Sequence, residues 1–181
     1  MLKIVGVLVL AIVVVVLVMA AMKPDTFVIQ RSTGINAPPE KVYALIYDFN
    51  QWAQWSPWEQ KDPAMKRTMG NTSAGLGATY AWVGNKDVGE GNMAITGATP
   101  PTQLVIALGF IKPFEAKNKV VFDLKPEGAD GQAKTQVNWA MYGDKNFISK
   151  LMQVFMNIDT MVGKDFESGL AKLKAAAERS A

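Results

Sequence analysis

The chain has 181 residues, of which 49% are hydrophobic and 9% aromatic, with 19 Lys and Arg against 16 Asp and Glu. This composition supports a packed core and excludes a disordered or fibrous chain. The absence of cysteine and histidine excludes disulfides, thiolate nucleophiles, sulfur-based zinc sites and histidine-based triads or metal sites. Acid–base chemistry would therefore need Tyr, Lys, a hydroxyl or a carboxylate. No cluster of Arg and Lys indicates nucleic-acid binding.

The first 22 residues form a separate apolar segment. Residues 4–22 carry no polar side chain, and a helix of that length spans about 28 Å, close to the hydrocarbon core of a bilayer. A cleaved secretory signal needs a shorter apolar core and a small residue where Met19 stands. We therefore predict an uncleaved transmembrane anchor over residues 1–23 and one folded domain over residues 24–181. A cleaved signal and a buried helix are the alternatives.

Charges beside the apolar segment do not decide its orientation, because Lys3 precedes it while Lys23, Arg31 and Lys41 follow it. A short tail ahead of a long domain resembles a signal anchor, and long domains cross membranes largely regardless of their charge. We expect a single-pass protein of the cell membrane with its domain on the extracytoplasmic, periplasmic side.

A strand and two short helical stretches follow the apolar segment. Residues 26–36 alternate apolar and polar side chains, which is typical of a half-buried strand. Pro38-Pro39-Glu40 is typical of a helix start, and apolar residues then recur at helical spacing as far as Phe49. Residues 52–58 form a short irregular or helical stretch that holds three of the five tryptophans.

A run of antiparallel strands is predicted for residues 65–143. Breaks rich in Gly and Pro separate segments with strand-like alternation, which are 78–83, 88–98, 103–110, 116–125 and 133–142. Alternation of this kind, with a polar opposite face, is typical of an antiparallel sheet that is buried on one side.

The C-terminal segment is helical in its pattern. From Phe147 the apolar residues recur every three or four positions, without proline, to about Arg179. This predicts one long amphipathic helix over residues 147–178. The concave face of the sheet is the candidate surface for such a helix, and the two would enclose a space wherever their side chains do not fill it.

This order of elements resembles the helix-grip fold, an α+β architecture with a curved antiparallel sheet wrapped around a long C-terminal helix. Three blocks carry the resemblance, namely residues 35–43 (INAPPEKVY), 52–58 (WAQWSPW) and 88–93 (VGEGNM). They resemble the bacterial polyketide cyclase/dehydrase branch, also called SRPBCC, of the START-like superfamily, over about residues 25–178. The resemblance implies a deep apolar cavity that different members use to carry lipids, sterols or hormones, or to cyclise aromatic polyketides. It implies a fold and a kind of site rather than one reaction.

We expect aromatic and methionine side chains to line this cavity. They are Trp52, Trp55, Trp58, Tyr80, Trp82, Met93, Phe110, Trp139, Met141, Met152 and Phe155. Methionine suits a pocket that adapts to ligands of different shape, and a row of tryptophans suits a cavity mouth or a membrane interface. The plainer alternative is that these side chains fill and cap the core.

Three acidic residues are candidates for a polar anchor in the cavity. Glu90 and Asp123 lie at outward-facing strand positions, which favours a solvated surface, and Asp159 lies at the edge of the apolar helix face. Gly89 and Gly91 remove two side chains from inward-facing positions. They either leave room for a ligand or mark a bulge in a curved sheet.

Taken together, these patterns favour a membrane-tethered protein that binds a hydrophobic small molecule, lipid-like or isoprenoid-like, over an enzyme. One alternative is a cyclase/dehydrase-like enzyme that uses Tyr, Lys or a carboxylate for acid–base chemistry. Another is a protein-interaction module with a filled cavity and the tryptophan row as its partner surface. No pattern indicates a metal, another cofactor or a nucleic-acid partner, and the sequence leaves ligand and oligomeric state open.

Overall fold

A computed structural model describes residues 2–128 and 133–179 of the chain. Met1 and the last two residues of the expected domain lie outside this description. The helices are α1 (Leu2–Ala21), α2 (Pro39–Tyr47), a 3-10 helix (Phe49–Gln54), α3 (Pro57–Lys61), α4 (Phe147–Phe155) and α5 (Ile158–Glu178). The strands are β1 (Thr26–Ile35), β2 (Lys66–Met69), β3 (Thr79–Val83), β4 (Glu90–Thr99), β5 (Gln103–Lys112), β6 (Ala116–Pro126) and β7 (Thr135–Asp144).

The seven strands form one antiparallel sheet in the order β1-β7-β6-β5-β4-β3-β2. The predicted alternation holds on the inward face, where Ile106, Phe122 and Val137 are buried. The sheet curves around α5, so the predicted α+β helix-grip architecture is confirmed. The sequence pattern does not predict β2, because its four residues are mostly exposed and do not alternate.

Two glycines at the start of β4 serve the bend of the sheet. Gly89 has a φ of +65°, a conformation that other residues rarely adopt, and the pairing register shifts between Glu90 and Gly91. A Cβ atom added at Gly91 would lie 2.5 Å from ring atoms of Trp82. The room that Gly91 leaves is therefore filled by the indole of Trp82.

The long C-terminal helix is present, but it begins at Ile158 rather than at Phe147 as the periodicity predicts. The chain is extended at Met156, and the side chain of Asn157 accepts a hydrogen bond from the backbone N–H of Thr160 at 3.1 Å. Asparagine in this position caps a new helix. The two helices also have different partners, since α4 packs against α1 and α5 packs against β1.

The N-terminal helix α1 is the one helix within the described ranges that is long and apolar enough to cross a membrane. Its residues Lys3–Ala21 have a mean hydropathy of 3.4, and only 6% of the span is buried. Among the other helices and the strands, its main packing partner is α4. An apolar helix that stays exposed in this way differs from the core helix of a soluble domain.

Candidate functional site

A cavity of about 70 Å³ lies between the concave face of the sheet and the helices α3 and α5. Strands β3 to β7 supply most of its wall, α3 and the residue before it supply one edge, and α5 supplies Phe166. The lining residues are Trp52, Ser56, Trp58, Glu59, Tyr80, Trp82, Val88, Met93, Leu108, Phe110, Val120, Trp139, Met141 and Phe166.

Most of the residues expected at the cavity are brought together there. These are Trp52, Trp58, Tyr80, Trp82, Met93, Phe110, Trp139 and Met141. Met152 and Phe155 lie instead on α4, which the break at Asn157 separates from the sheet-facing helix. Phe155 is 71% exposed and borders a different pocket.

The tryptophan row is divided between core and cavity. Trp55 is fully buried, and its indole N–H donates to the backbone carbonyl of Leu45 at 2.9 Å. Trp52 borders the cavity and donates to the carbonyl of Ile46 at 3.0 Å. These bonds attach the 3-10 helix to the end of α2. Trp52 and Trp55 are therefore packed inside rather than forming an exposed partner surface, and Trp58 is the partly buried member.

Stacked aromatic rings form part of the cavity wall, which Trp58, Trp139 and Phe166 line. The ring of Trp139 lies parallel to that of Phe166, with centroids 4.1 Å apart, and close to that of Phe122, at 5.0 Å. Trp58 meets Trp139 edge-on at 5.8 Å. Stacked rings make a rigid apolar wall. The indole Nε1 of Trp139 is buried and finds no acceptor in the described part of the chain.

The sequence reasoning missed Glu59, the one carboxylate among the described lining residues. Its side chain is 7% exposed. The hydroxyl of Tyr80 donates to Glu59 Oε1 at 2.6 Å, and Arg67 Nε and Nη2 both lie 2.6 Å from Oε2. Burial, and secondly the Glu59 carboxylate, raise the pKa of Tyr80 well above its ordinary value of 10.0. Tyr80 therefore keeps its proton at neutral pH and acts as a hydrogen-bond donor.

Ser56 and Glu59 have the spacing of a helix capping box, which would place the carboxylate at the exposed helix end. Ser56 makes no side-chain cap hydrogen bond, however, and the carboxylate turns inward to Tyr80 and Arg67. The capping pattern was the only local signal for Glu59. Its inward direction depends on Arg67 of β2, a strand that the alternation does not predict.

The three acidic residues that the sequence offers as polar anchors do not line this cavity. Each of them has a polar partner elsewhere. Glu90 forms an ion pair with Lys112 at 2.7 Å, and Asp123 accepts a hydrogen bond from Gln103 at 2.8 Å. Asp159 forms an ion pair with Arg31 at 3.2 Å. The expectation that Glu90 and Asp123 lie on the outward side agrees with these contacts.

The chain matches the model of a family described as polyketide cyclase / dehydrase and lipid transport, over residues 26–178. No curated protein matches it. Similar solved structures include proteins from Chromobacterium violaceum, with 15% identity over 87% of this chain and 100% of that one and a TM-score of 0.58. A protein from Mesorhizobium loti has 16% identity over 86% of this chain and 98% of that one, with a TM-score of 0.58. A protein from Thermobifida fusca has 20% identity over 81% of this chain and 90% of that one, with a TM-score of 0.59. At sequence identities this low, the structural similarity shows a common fold and nothing about activity.

Proposed function

The chain belongs to the polyketide cyclase / dehydrase and lipid transport family, and from that premise we propose that it is a membrane-tethered binding protein. Its ligand is a hydrophobic small molecule, lipid-like or isoprenoid-like, held between the sheet and α5. The observation that carries the proposal is the composition of the cavity wall. Apolar and aromatic side chains make up nearly all of it, with one carboxylate at its edge.

Burial supplies the binding energy in this proposal. Apolar ligand surface removed from water contributes about 25 cal/mol per Å², and a few polar groups set the orientation. Glu59 can accept a hydrogen bond from a ligand hydroxyl, and Trp139 Nε1 can donate one to a ligand oxygen. The favoured ligand is therefore apolar over most of its length and carries one oxygen function at one end.

The cavity must widen when a ligand binds. The volume of the cavity is about 70 Å³, whereas ligand pockets typically have volumes of roughly 300 Å³ or more. Met93 and Met141 lie in the wall, and methionine side chains repack easily because they have three rotatable bonds. Trp58 is only partly buried beside them. Rotation of these side chains would open the space without moving the sheet.

The tether in this proposal is the segment of residues 1–23, which contains α1, and the folded domain of residues 24–181 lies on the extracytoplasmic side. Its support is the length, hydropathy and exposure of α1. Attachment to a bilayer raises the effective concentration of a lipid binder beside its source.

Native mass spectrometry with organic extraction tests the proposal. The full chain is purified from its own host in mild detergent, and we expect one hydrophobic compound bound per chain. In the variant Leu108→Trp a larger side chain fills the cavity, so the compound should be lost. Ile111→Trp makes the same kind of change at an exposed position of the same strand and should retain it.

Two results would contradict the proposal. One is an empty wild-type protein that also fails to take up hydrophobic fluorescent probes, which would favour the interaction module. The other is retention of the compound by Leu108→Trp with a circular dichroism spectrum like that of the control, which would place the compound outside this cavity.

A cyclase/dehydrase-like enzyme is the second candidate, and Glu59 and Tyr80 in the cavity wall favour it. In that case Glu59→Gln, which keeps the shape and loses the charge, should abolish turnover of the extracted compound while leaving its binding within about twofold. If the protein only binds the compound, Glu59→Gln should bind it more weakly than wild type, and neither wild type nor the variant should turn it over.

A further inference from the structure

We propose that α4 and the pocket beside it form a second site, which binds the anionic headgroup of a membrane phospholipid while α4 lies in the bilayer interface. This inference rests on the tether of the proposed function, and it concerns a surface that is separate from the cavity between sheet and α5. The occupant is a bilayer that contains acidic lipids.

The first observation is the exposed apolar stripe of α4. None of the nine residues of α4, all of which the structure describes, is buried. Phe147, Ile148 and Phe155 are 49%, 61% and 71% exposed, and their spacing places them on one side of the helix. Gln153 lies on the opposite side of the helix, and Lys150, three residues after Phe147, lies at the border of the stripe. An amphipathic helix normally buries its apolar stripe. The exposed stripe of α4 therefore indicates a binding partner.

The second observation is the position of α4 beside the apolar span. Helix α4 packs against α1, and the backbone N–H of Lys145 donates to the carbonyl of Asp25 at 2.7 Å, four residues after α1 ends. Lys150 pairs with the Asp25 carboxylate. A bilayer crossed by α1 would therefore have its surface at α4, and an amphipathic helix at that depth buries its apolar face among the lipids.

The third observation is a pocket of about 590 Å³ between the start of β1 and the junction of α4 and α5. Lys23 and Lys145 lie in its wall, and Phe155, Met156 and Ile158 supply an apolar side. This combination fits a lipid, with the anionic headgroup at the lysines and the beginning of an acyl chain along the apolar side.

The charges around the pocket favour an anion. Burial first, and then the charges of Lys23 and Lys150, lower the pKa of Lys145 below its ordinary 10.5. Two carboxylates are near, but Asp25 pairs with Lys150 and Asp159, in the pocket wall, pairs with Arg31. Acidic lipids attract such basic groups at a membrane surface.

Depth measurement by electron paramagnetic resonance tests the placement of α4. The chain has no cysteine, so a single introduced cysteine carries a unique nitroxide in the full chain in lipid nanodiscs. We expect labels at Ile148→Cys and Phe155→Cys to collide more with oxygen than with a water-soluble nickel chelate. A label at Leu76→Cys, a position that is 68% exposed, should show the opposite, and one at Val14→Cys should lie deepest.

The outcomes separate this inference from the tether. Nickel accessibility at Ile148 and Phe155 equal to that at Leu76 overturns the placement of α4 while Val14 still reports a buried span. If the label at Val14→Cys is also accessible to the nickel chelate, the tether is overturned. This inference then fails too, because it rests on the tether.

The headgroup is tested by native mass spectrometry of the chain released from nanodiscs of phosphatidylcholine and phosphatidylglycerol. We expect phosphatidylglycerol to be enriched at least threefold among retained lipids. The double variant Lys23→Gln with Lys145→Gln should remove that enrichment, whereas Lys66→Gln with Lys86→Gln, which removes the same charge from exposed positions elsewhere, should keep it. Equal ratios in the two double variants would overturn the anionic site.

Discussion

Among the single residues of the core, three buried polar side chains are each held by a specific partner. Thr135 donates to the carbonyl of Ala37 at 2.7 Å, and Asp62 accepts from the backbone N–H of Asn85 at 2.7 Å. Tyr43 donates to the carbonyl of Gln103 at 3.3 Å. A buried polar group without a partner costs about 1–3 kcal/mol. The Nε1 of Trp139, which finds no acceptor in the described residues, carries this cost unless a ligand accepts from it.

Tyr43 gives a prediction for alkaline pH. Burial, and secondly Tyr47, raise its pKa to about 12 from 10.0. The folded state therefore keeps the Tyr43 proton where the unfolded state loses it, so this residue favours folding below pH 10 and that contribution is lost as pH rises from 10 through 12. In Tyr43→Phe the free energy of unfolding should fall less steeply over this range, as measured by urea titrations at stepped pH.

The control is Tyr142→Phe, a change at a tyrosine that is 37% exposed. Lysines titrate in the same pH range in every variant, so the informative quantity is the difference in slope between wild type and variant. Equal slopes for Tyr43→Phe and wild type would show that the environment of Tyr43 does not hold its proton.

At the scale of elements, α5 packs its small residues against the sheet and α3. A Cβ atom added at Gly169 would lie 2.8 Å from the ring of Trp139 and 3.0 Å from Pro57. One added at Gly163 would meet the guanidinium of Arg31, which is at the end of a flexible side chain. Arg31 holds α5 to β1 through Glu167 at 2.7 Å, a pair whose carboxylate side chain is 58% exposed.

Alanine substitutions at these two glycines form a matched pair. Alanine gains about 1 kcal/mol over glycine inside a helix, and both variants receive that gain. Gly169→Ala should nevertheless destabilise the protein by about 1–3 kcal/mol, because overpacking against a rigid ring displaces the helix. Gly163→Ala should stay within about 1 kcal/mol of wild type, because only an exposed ion pair is disturbed.

Urea unfolding at neutral pH measures both variants. A destabilisation of Gly163→Ala as large as that of Gly169→Ala would show that the Arg31 contact limits the approach of the helix to the sheet as much as the packing of α5 on Trp139 does.

At the scale of the whole molecule, the antiparallel sheet and α5 enclose the candidate site, while α1 and α4 extend from the end where β1 begins. The cavity lies inside the sheet and the lysine-lined pocket lies beside β1. A binding protein arranged in this way would face the bilayer with α4 and keep its cavity within the folded domain.

The proposed orientation gives a prediction for intact cells. A membrane-impermeant maleimide should label Leu76→Cys in intact bacteria that express the full chain, because Leu76 is 68% exposed on the folded domain. Wild type, without cysteine, supplies the background, and Val14→Cys should stay unlabelled in the bilayer. Labelling of Leu76→Cys only after the cells are lysed would place the domain in the cytoplasm.

Elements whose signals are local could be predicted from the amino-acid sequence. Alternation over residues 103–110 and 116–125 predicted β5 and β6 closely, because neighbouring residues of a half-buried strand face opposite sides of the sheet. The uninterrupted apolar run predicted α1, since its length and hydropathy need no tertiary context. The blocks at residues 35–43, 52–58 and 88–93 carried the family resemblance, which the family match confirms.

Features that depend on residues far apart in the chain could not be predicted from the sequence. The direction of Glu59 depends on Tyr80 and Arg67, and the space beside Gly91 is taken by Trp82 from the neighbouring strand. The break at Asn157 interrupts an apolar period that is continuous in sequence, because α4 and α5 pack on different partners. Periodicity tells which side of an element is apolar, but not which surface covers it or how much space is left between them.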